Sequence, residues 1–273
     1  MQGKTDFKNT LRQGLIIFIL LTPVASIIQY FLYPNLRNLQ YLGWDPHLYR
    51  LFGLFFDTSV AGAIYALLFL LIFLSGKKLM KNDILRNFLL VTFMIFSVLT
   101  YSRSLYLALP VVVSLYFIAK KQYVLPAVFF ISFLIFISLS PKPFGEGVNL
   151  GRTFSIESRF NDYQLAFKLW KKNPLFGIGY NRIRYVKNEL VNHAGASLHS
   201  SFLIVLVTGG MAGLILFLFA LLKIASLSEY SHYAMVLLGL LSFADNILLH
   251  PFVLLLLFST SAYSIIRPFG TSQ

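Results

Sequence analysis

An all-α fold, a polytopic helical membrane protein of about eight transmembrane helices, is predicted by three features of this chain. Its apolar residues come in long unbroken runs rather than in amphipathic stripes, a pattern that belongs to lipid. It is 57% hydrophobic and only 12% charged, about half the roughly 25% charge of a soluble domain. Its lysines and arginines gather in alternate short loops between those runs, where charge sets topology. A mean hydropathy of +0.72 agrees.

A spanning helix needs about 20 mostly apolar residues. The first is expected from Gly14 to Leu32. Its basic lead resembles a signal peptide, but the run is too long for an h-region and no convincing cleavage site follows. The next four are expected at Thr58 to Leu74, Asn87 to Thr100, Leu105 to Ala119 and Tyr123 to Leu139. A long polar loop, 141–198, interrupts the series. The sixth helix is expected from Ser200 to Leu222, and His232 to Ala244 with Pro251 to Ile266 form a closing hairpin. The whole chain, 1–273, is expected to be a single membrane domain.

Orientation follows from the short loops. One side carries Lys4, Lys8 and Arg12, then Lys77, Lys78, Lys81 and Arg86, then Lys120 and Lys121, Lys223 and Arg267. The short loops opposite carry Arg37, Arg50 and Arg103. The first side is predicted to be cytoplasmic, with both termini there and the long loop outside. The net charge of +13 is thus assigned to topology rather than to nucleic acid. With no cysteine in the chain, disulfides and thiolate metal sites are excluded.

Within the long loop, Ser155 to Lys172 has the spacing of an amphipathic helix closed by Pro174, with Ile156, Phe160, Tyr163, Phe167 and Trp170 on one face. Such a helix lies on the membrane surface or caps the bundle. A glycine-punctuated turn, Phe176-Gly177-Ile178-Gly179-Tyr180, follows, and then a second helical stretch from Asn181 to Val191.

The outer side collects Arg50, Asp57, Arg103, Arg159, His199, Asp245 and His250 at or near helix ends, and the long loop adds Arg152, Arg182, Arg184 and Lys187. Ionisable groups at such places in a membrane protein mark functional sites. An excess of guanidinium groups suits an anion such as phosphate or diphosphate, which arginine holds by planar, bidentate bonds. His199, where the loop enters the sixth helix, carries an imidazole, the side-chain type suited to proton abstraction from a hydroxyl. Together these groups make a glycosyl transfer possible without a metal or other cofactor, and the chain offers no outward Asp-x-Asp pair to hold a metal. Each residue has a blander alternative: Arg50 and Arg103 as interfacial anchors, Arg159 as a solvated helix edge, His199 as a helix-start residue, Asp57 as an N-cap, and Asp245 with His250 as a pair across the last turn.

Four stretches resemble the O-antigen ligase and polymerase superfamily of bacterial envelope proteins. They are Arg50-Leu-Phe-Gly53-Leu-Phe-Phe-Asp57; Thr100-Tyr-Ser-Arg103-Ser; Arg159 with Leu169-Trp170 and Asn173-Pro174-Leu175-Phe176-Gly177-Ile178-Gly179; and His199 followed by Gly209-Gly210-Met211-Ala212-Gly213-Leu214. The resemblance implies a metal-independent, inverting glycosyltransferase in the bacterial inner membrane. By this resemblance Arg103 and Arg159 would bind the diphosphate of a polyprenyl-linked (undecaprenyl-type) glycan donor and His199 would activate the hydroxyl of a glycan or lipid acceptor; the charges gathered on the outer side add Arg50, Arg182, Arg184 and Asp245 as expected substrate contacts. Two departures accompany it. Ser200 stands where members commonly carry asparagine, and members usually have more helices ahead of the Arg50 segment, so the chain is either a short member or one without its N-terminal part. Two other readings stand beside the enzyme: a transporter or flippase for an anionic lipid or sugar, whose site would lie near the midplane on paired broken helices, and a non-catalytic truncated member.

Overall fold

The computed structural model describes residues 2–35, 37, 48–141, 146–151, 153–188 and 197–265. They form ten α-helices: α1 Gln2–Leu32, α2 Thr58–Leu79, α3 Asp83–Leu99, α4 Arg103–Ala119, α5 Val124–Leu139, α6 Phe154–Trp170, α7 Ile183–Val186, α8 Ser201–Ala225, α9 Glu229–Ala244 and α10 Pro251–Ile265. Among the described residues there is no strand, only one isolated bridge between Asn35 and Leu48. Helix starts follow short polar side chains that accept the first free amides. Asp57 Oδ1 takes the N–H of Ser59 at 2.6 Å and of Val60 at 3.0 Å, making it the N-cap of α2. Asn82 does the same for Leu85 and Ser228 for Ser231.

A helix apolar on all sides belongs in the middle of a bundle, and α2 is that helix. It is buried without a break from Val60 to Ile72, with α1, α3, α4, α9 and α10 around it. Gly62 brings α2 close to its neighbours: a Cβ there would stand 2.9 Å from Leu105 Cδ2. The outward faces are apolar too, with Leu21 and Phe31 on α1, Leu107 on α4, Leu139 on α5, Phe219 on α8 and Leu255 on α10 exposed. Water would penalise so much apolar surface, whereas lipid tails accept it. The protein is an integral membrane protein.

A helix stands at each of the eight places where a span is expected. Three are long and apolar enough by themselves to cross a bilayer, Asp6–Leu32, Thr58–Leu79 and Ser201–Ala225; α4, α5 and α10 are apolar but shorter. The bundle has two distinct ends. At one, Arg12 donates to Leu79 O at 2.9 and 3.0 Å, Tyr263 Oη donates to Lys78 O at 3.3 Å, and Lys120 meets Glu229 at 2.8 Å. At the other lie the Arg50–Asp57 segment, the α3–α4 corner, the long loop and the α9–α10 corner.

The long loop folds into a cap with its own small core. Ala166 and Leu169 of α6, Ile183 of α7, and Leu198, Leu203 and Val207 at the head of α8 pack together. Of the two settings expected for α6, the structure shows the helix packed against the head of α8. Ile156, Phe160 and Phe167 are exposed, whereas the inward face carries Arg159, Asp162, Ala166 and Leu169, at helical spacings of three and four. The small Ala166 side chain lets α6 sit close to α8, and the polar groups on that face find partners at the α9–α10 corner and at Lys187 and His199, so Ile156, Phe160 and Phe167 are left outward. The second predicted helix is also shorter than expected: α7 is Ile183–Val186, and of the predicted stretch 189–191 lies outside the described residues.

The expected sixth helix, here α8, is not continuous. Gly210 has φ +64° and ψ −163°, which breaks the ladder. The segment after α6 fills the break. Met211 N–H donates to Pro174 O at 2.9 Å and Ala212 N–H to Leu175 O at 3.1 Å; in return Ile178 N–H donates to Val207 O at 2.8 Å and Gly179 N–H to Thr208 O at 3.1 Å. Freed helix groups in an apolar setting need such partners. Both glycines are forced. Gly177 has φ +71°, and a Cβ there would sit 2.5 Å from Thr208 C; one on Gly210 would overlap the Leu175 carbonyl.

Candidate functional site

The α9–α10 corner, residues 242–248, joins the separated stretches of the site. Arg159 reaches it from α6: Nε donates to Ala244 O at 2.8 Å and Nη2 to Asp245 Oδ1 at 2.9 Å. Asp245 Oδ2 accepts from Ser104 Oγ at 3.0 Å, and Ser104 Oγ lies 3.0 Å from Ser102 Oγ. Arg103, between those serines, opens α4 and donates through Nη1 to Leu150 O at 3.2 Å. The head of α8 is tied to the same corner. Ser200 Oγ donates to Ser242 O at 2.8 Å and Ser201 Oγ to Asn246 Oδ1 at 3.1 Å. His199 immediately precedes those serines.

Arg159 and His199 are also joined through α6. Asp162 sits one turn after Arg159 and is 7% exposed on its side chain, against 39% for His199. Its Oδ2 lies 2.6 Å from His199 Nδ1 and accepts from the His199 backbone N–H at 2.9 Å. Its Oδ1 takes Lys187 Nζ at 3.1 Å, and the same ammonium donates to Ser197 O at 2.8 Å. Burial alone would raise the Asp162 carboxyl. The hydrogen bonds from His199 and the nearby Lys187 charge outweigh it and hold the group below the ordinary carboxylate range.

The structure therefore ties Arg159 and the chain neighbours of Arg103 and His199 to one corner and adds Asp162, which sequence reasoning missed. The signal was present: Arg159-x-x-Asp162 places both on one helix face. Tyr163 belongs to this side too, with its hydroxyl on Phe243 O at 2.7 Å.

Other expected site residues have different places. Arg50 is buried, with Nε on Thr100 O at 2.8 Å. With the Leu51 N–H on Leu99 O at 2.9 Å, it fixes the corner from which Arg103 departs, and Gly147 of the long loop packs against its side chain. Arg182 is exposed and Arg184 half-buried, both on the α7 turn that Ile183 anchors to α6 and α8. Lys187, expected among the anion-binding cations, is engaged with Asp162 and Ser197. Asp245 bonds to Arg159 and Ser104 rather than pairing with His250, whose ring lies 5.5 Å from that of Phe252. Arg152 lies outside the described residues.

A family model described as O-antigen ligase matches residues 88–218. The match takes in Arg103, Arg159, Asp162 and His199 and stops short of Arg50 and Asp245. It shows the resemblance to the O-antigen ligase and polymerase superfamily, over a narrower stretch than the motifs from Arg50 onward suggest. No curated protein matches the chain.

Proposed function

We propose, with the O-antigen ligase match over residues 88–218 as premise, that this chain transfers a glycan from a polyprenyl diphosphate carrier to an acceptor hydroxyl at the outer face of the bacterial inner membrane. The observation that carries the reading is the placement of Arg159 and the His199 partner Asp162 on successive turns of α6, against one corner. Arg159 spends two of its five N–H donors on Ala244 and Asp245, leaving three for a phosphate oxygen. Arg103 supplies a second guanidinium at the start of α4.

In the transfer, the acceptor oxygen attacks the anomeric carbon and its proton passes to the His199 imidazole. The bond from that carbon to the phosphate oxygen breaks, and the diphosphate leaves with the electron pair. Charge growing on the leaving group is balanced by the arginines, which costs little reorganisation because Arg159 is already held. Attack from the face opposite the diphosphate inverts the anomeric centre, and no metal is required. Eight helices cross the membrane in this reading, with both termini cytoplasmic. Ligase and polymerase differ in the acceptor alone.

The break in α8 invites the transporter alternative, since discontinuous helices line transport sites. Here its freed backbone groups are occupied by residues 174–179 of the same chain, which favours a structural joint.

The test is glycan incorporation by purified protein in EDTA, using a polyprenyl diphosphate donor. His199→Ala and Arg159→Ala are each expected to lower turnover by about 10²-fold or more while inserting normally. Wild-type-like transfer by both variants would end this mechanism, and donor movement across liposomes with no covalent product would replace it with transport.

A further inference from the structure

His199 is held in a way that its presumed task does not by itself require. One carboxylate oxygen, Asp162 Oδ2, bonds both the backbone N–H and the ring Nδ1 of the same residue, at 2.9 and 2.6 Å. Binding a residue at its backbone and its ring together fixes the side-chain torsions. The other oxygen is engaged by Lys187, which also grips Ser197 O at 2.8 Å, two residues before the histidine. The carboxylate is thus braced from its far side, and the approach to His199 is braced by the same ammonium.

We propose that Asp162 is the positioning residue for His199: it fixes the imidazole with its proton on Nδ1 and a bare Nε2 on the opposite edge, while Lys187 locks the carboxylate in that orientation. An ionised carboxylate only accepts hydrogen bonds, so the nitrogen facing it must carry the proton. The neutral ring then has a single acceptor, Nε2, and it points away from Asp162. This rests on the reading of His199 as the base. The acceptor hydroxyl loses its proton to Nε2, the new glycosidic bond forms, the bond to the diphosphate breaks, and the imidazolium that results faces a carboxylate already in place. Arg159, one turn away on α6, fixes the same helix to the α9–α10 corner, so the base and the anion site move as one body.

Asp162→Asn is the informative change. Its amide is nearly the same size, but one of its two ends must now present N–H groups, either to the His199 nitrogens or to the Lys187 ammonium. Nitrogen-15 spectra of histidine-labelled protein, assigned by difference against His199→Ala, read the tautomer directly. In the wild type, neutral His199 is expected to show a protonated Nδ1 and an unprotonated Nε2; in Asp162→Asn the Nε2-protonated form is expected to appear. A wild-type ring protonated on Nε2 overturns the proposal whatever the activity. In the transfer assay, Asp162→Asn is expected to lower kcat by about 10²-fold with donor KM changed less than about twofold, and Asp162→Glu to recover part of the loss. A comparable loss with an unchanged His199 spectrum, or one that appears in KM alone, would assign Asp162 a structural role and overturn the proposal. If the wild type transfers no glycan from any polyprenyl diphosphate donor, the transferase reading fails, and the tautomer spectrum still decides this one.

Discussion

At the scale of single residues, the site is built from side chains that bind each other before they bind anything else. Asp245 illustrates it, with Arg159 on one oxygen and Ser104 on the other. Asp245→Asn keeps an acceptor for Arg159, and the Ser104 hydroxyl rotates to suit an amide. The change removes the negative charge of the pair with Arg159, and is expected to cost about 1–2 kcal/mol and to leave transfer measurable. Asp245→Ala leaves Arg159 unanchored, and the thermal midpoint in detergent and the transfer rate are both expected to fall; equal behaviour of the two variants would contradict the bonding described. Asp162 carries a pH signature. Its carboxyl is held below the ordinary range by His199 and Lys187 despite burial, so its contribution to stability is complete above the ordinary carboxylate pKa of about 4 and is lost as the pH falls through the lowered value. Melting curves between about pH 3 and pH 6 are expected to show a smaller acid-side loss in Asp162→Asn than in the wild type.

At the scale of elements, the joint between α8 and residues 174–179 explains the Pro-Leu-Phe-Gly-x-Gly pattern by backbone geometry rather than by chemistry at a substrate. Gly210→Ala meets a backbone conformation open essentially to glycine alone, worth about 1–3 kcal/mol, and an overlap with Leu175; Gly177→Ala, also at positive φ, overlaps Thr208. Both are expected to abolish a folded, monodisperse protein in size-exclusion chromatography, whereas Gly209→Ala, with nothing within 4 Å of its Cβ, is expected to be tolerated. A folded Gly210→Ala protein would mean that the joint is not rigid. The sequence pattern was enough to place the helices, since unbroken apolar runs and polar caps such as Asp57 and Asn82 are local signals. It did not show the break in α8, because Gly209-Gly210 in an apolar run has the same composition whether or not another segment donates to it. Nor did it orient α6. Aromatic residues dominate a hydrophobicity pattern, but Arg159, Asp162 and Ala166 decided the packing, and the hydrogen-bond partners of the two charged residues come from 25 to 86 positions away. Arg103, Arg159 and His199 stood out as charged groups near helix ends, whereas Asp162, inside a helix and with no motif of its own, needed the fold to find its histidine.

At the scale of the whole molecule, the two ends of the bundle are chemically distinct, and under the positive-inside rule that difference predicts which way the site faces. The end that holds Arg12 against Leu79 and Lys120 against Glu229 also carries Lys77, Lys78, Lys81 and Lys223. The exposed Lys120–Glu229 pair adds little stability, so the concentration of cations there is better explained by insertion, which retains lysine and arginine in short loops on the cytoplasmic side. In the proposed orientation the opposite end, with the α6 cap and His199, faces outward, the side on which the proposed donor, a translocated lipid-linked glycan, would be presented. Because the chain has no cysteine, single-cysteine labelling needs no prior engineering. Tyr180, 94% exposed in the cap, and Lys81, exposed at the other end, are the two positions to use. In intact spheroplasts, Tyr180→Cys is expected to react with a membrane-impermeant maleimide, and Lys81→Cys only after permeabilisation. The reverse pattern would put His199 and the arginines on the cytoplasmic side, and a transferase acting on an outward-presented donor would then be excluded however well the site is assembled.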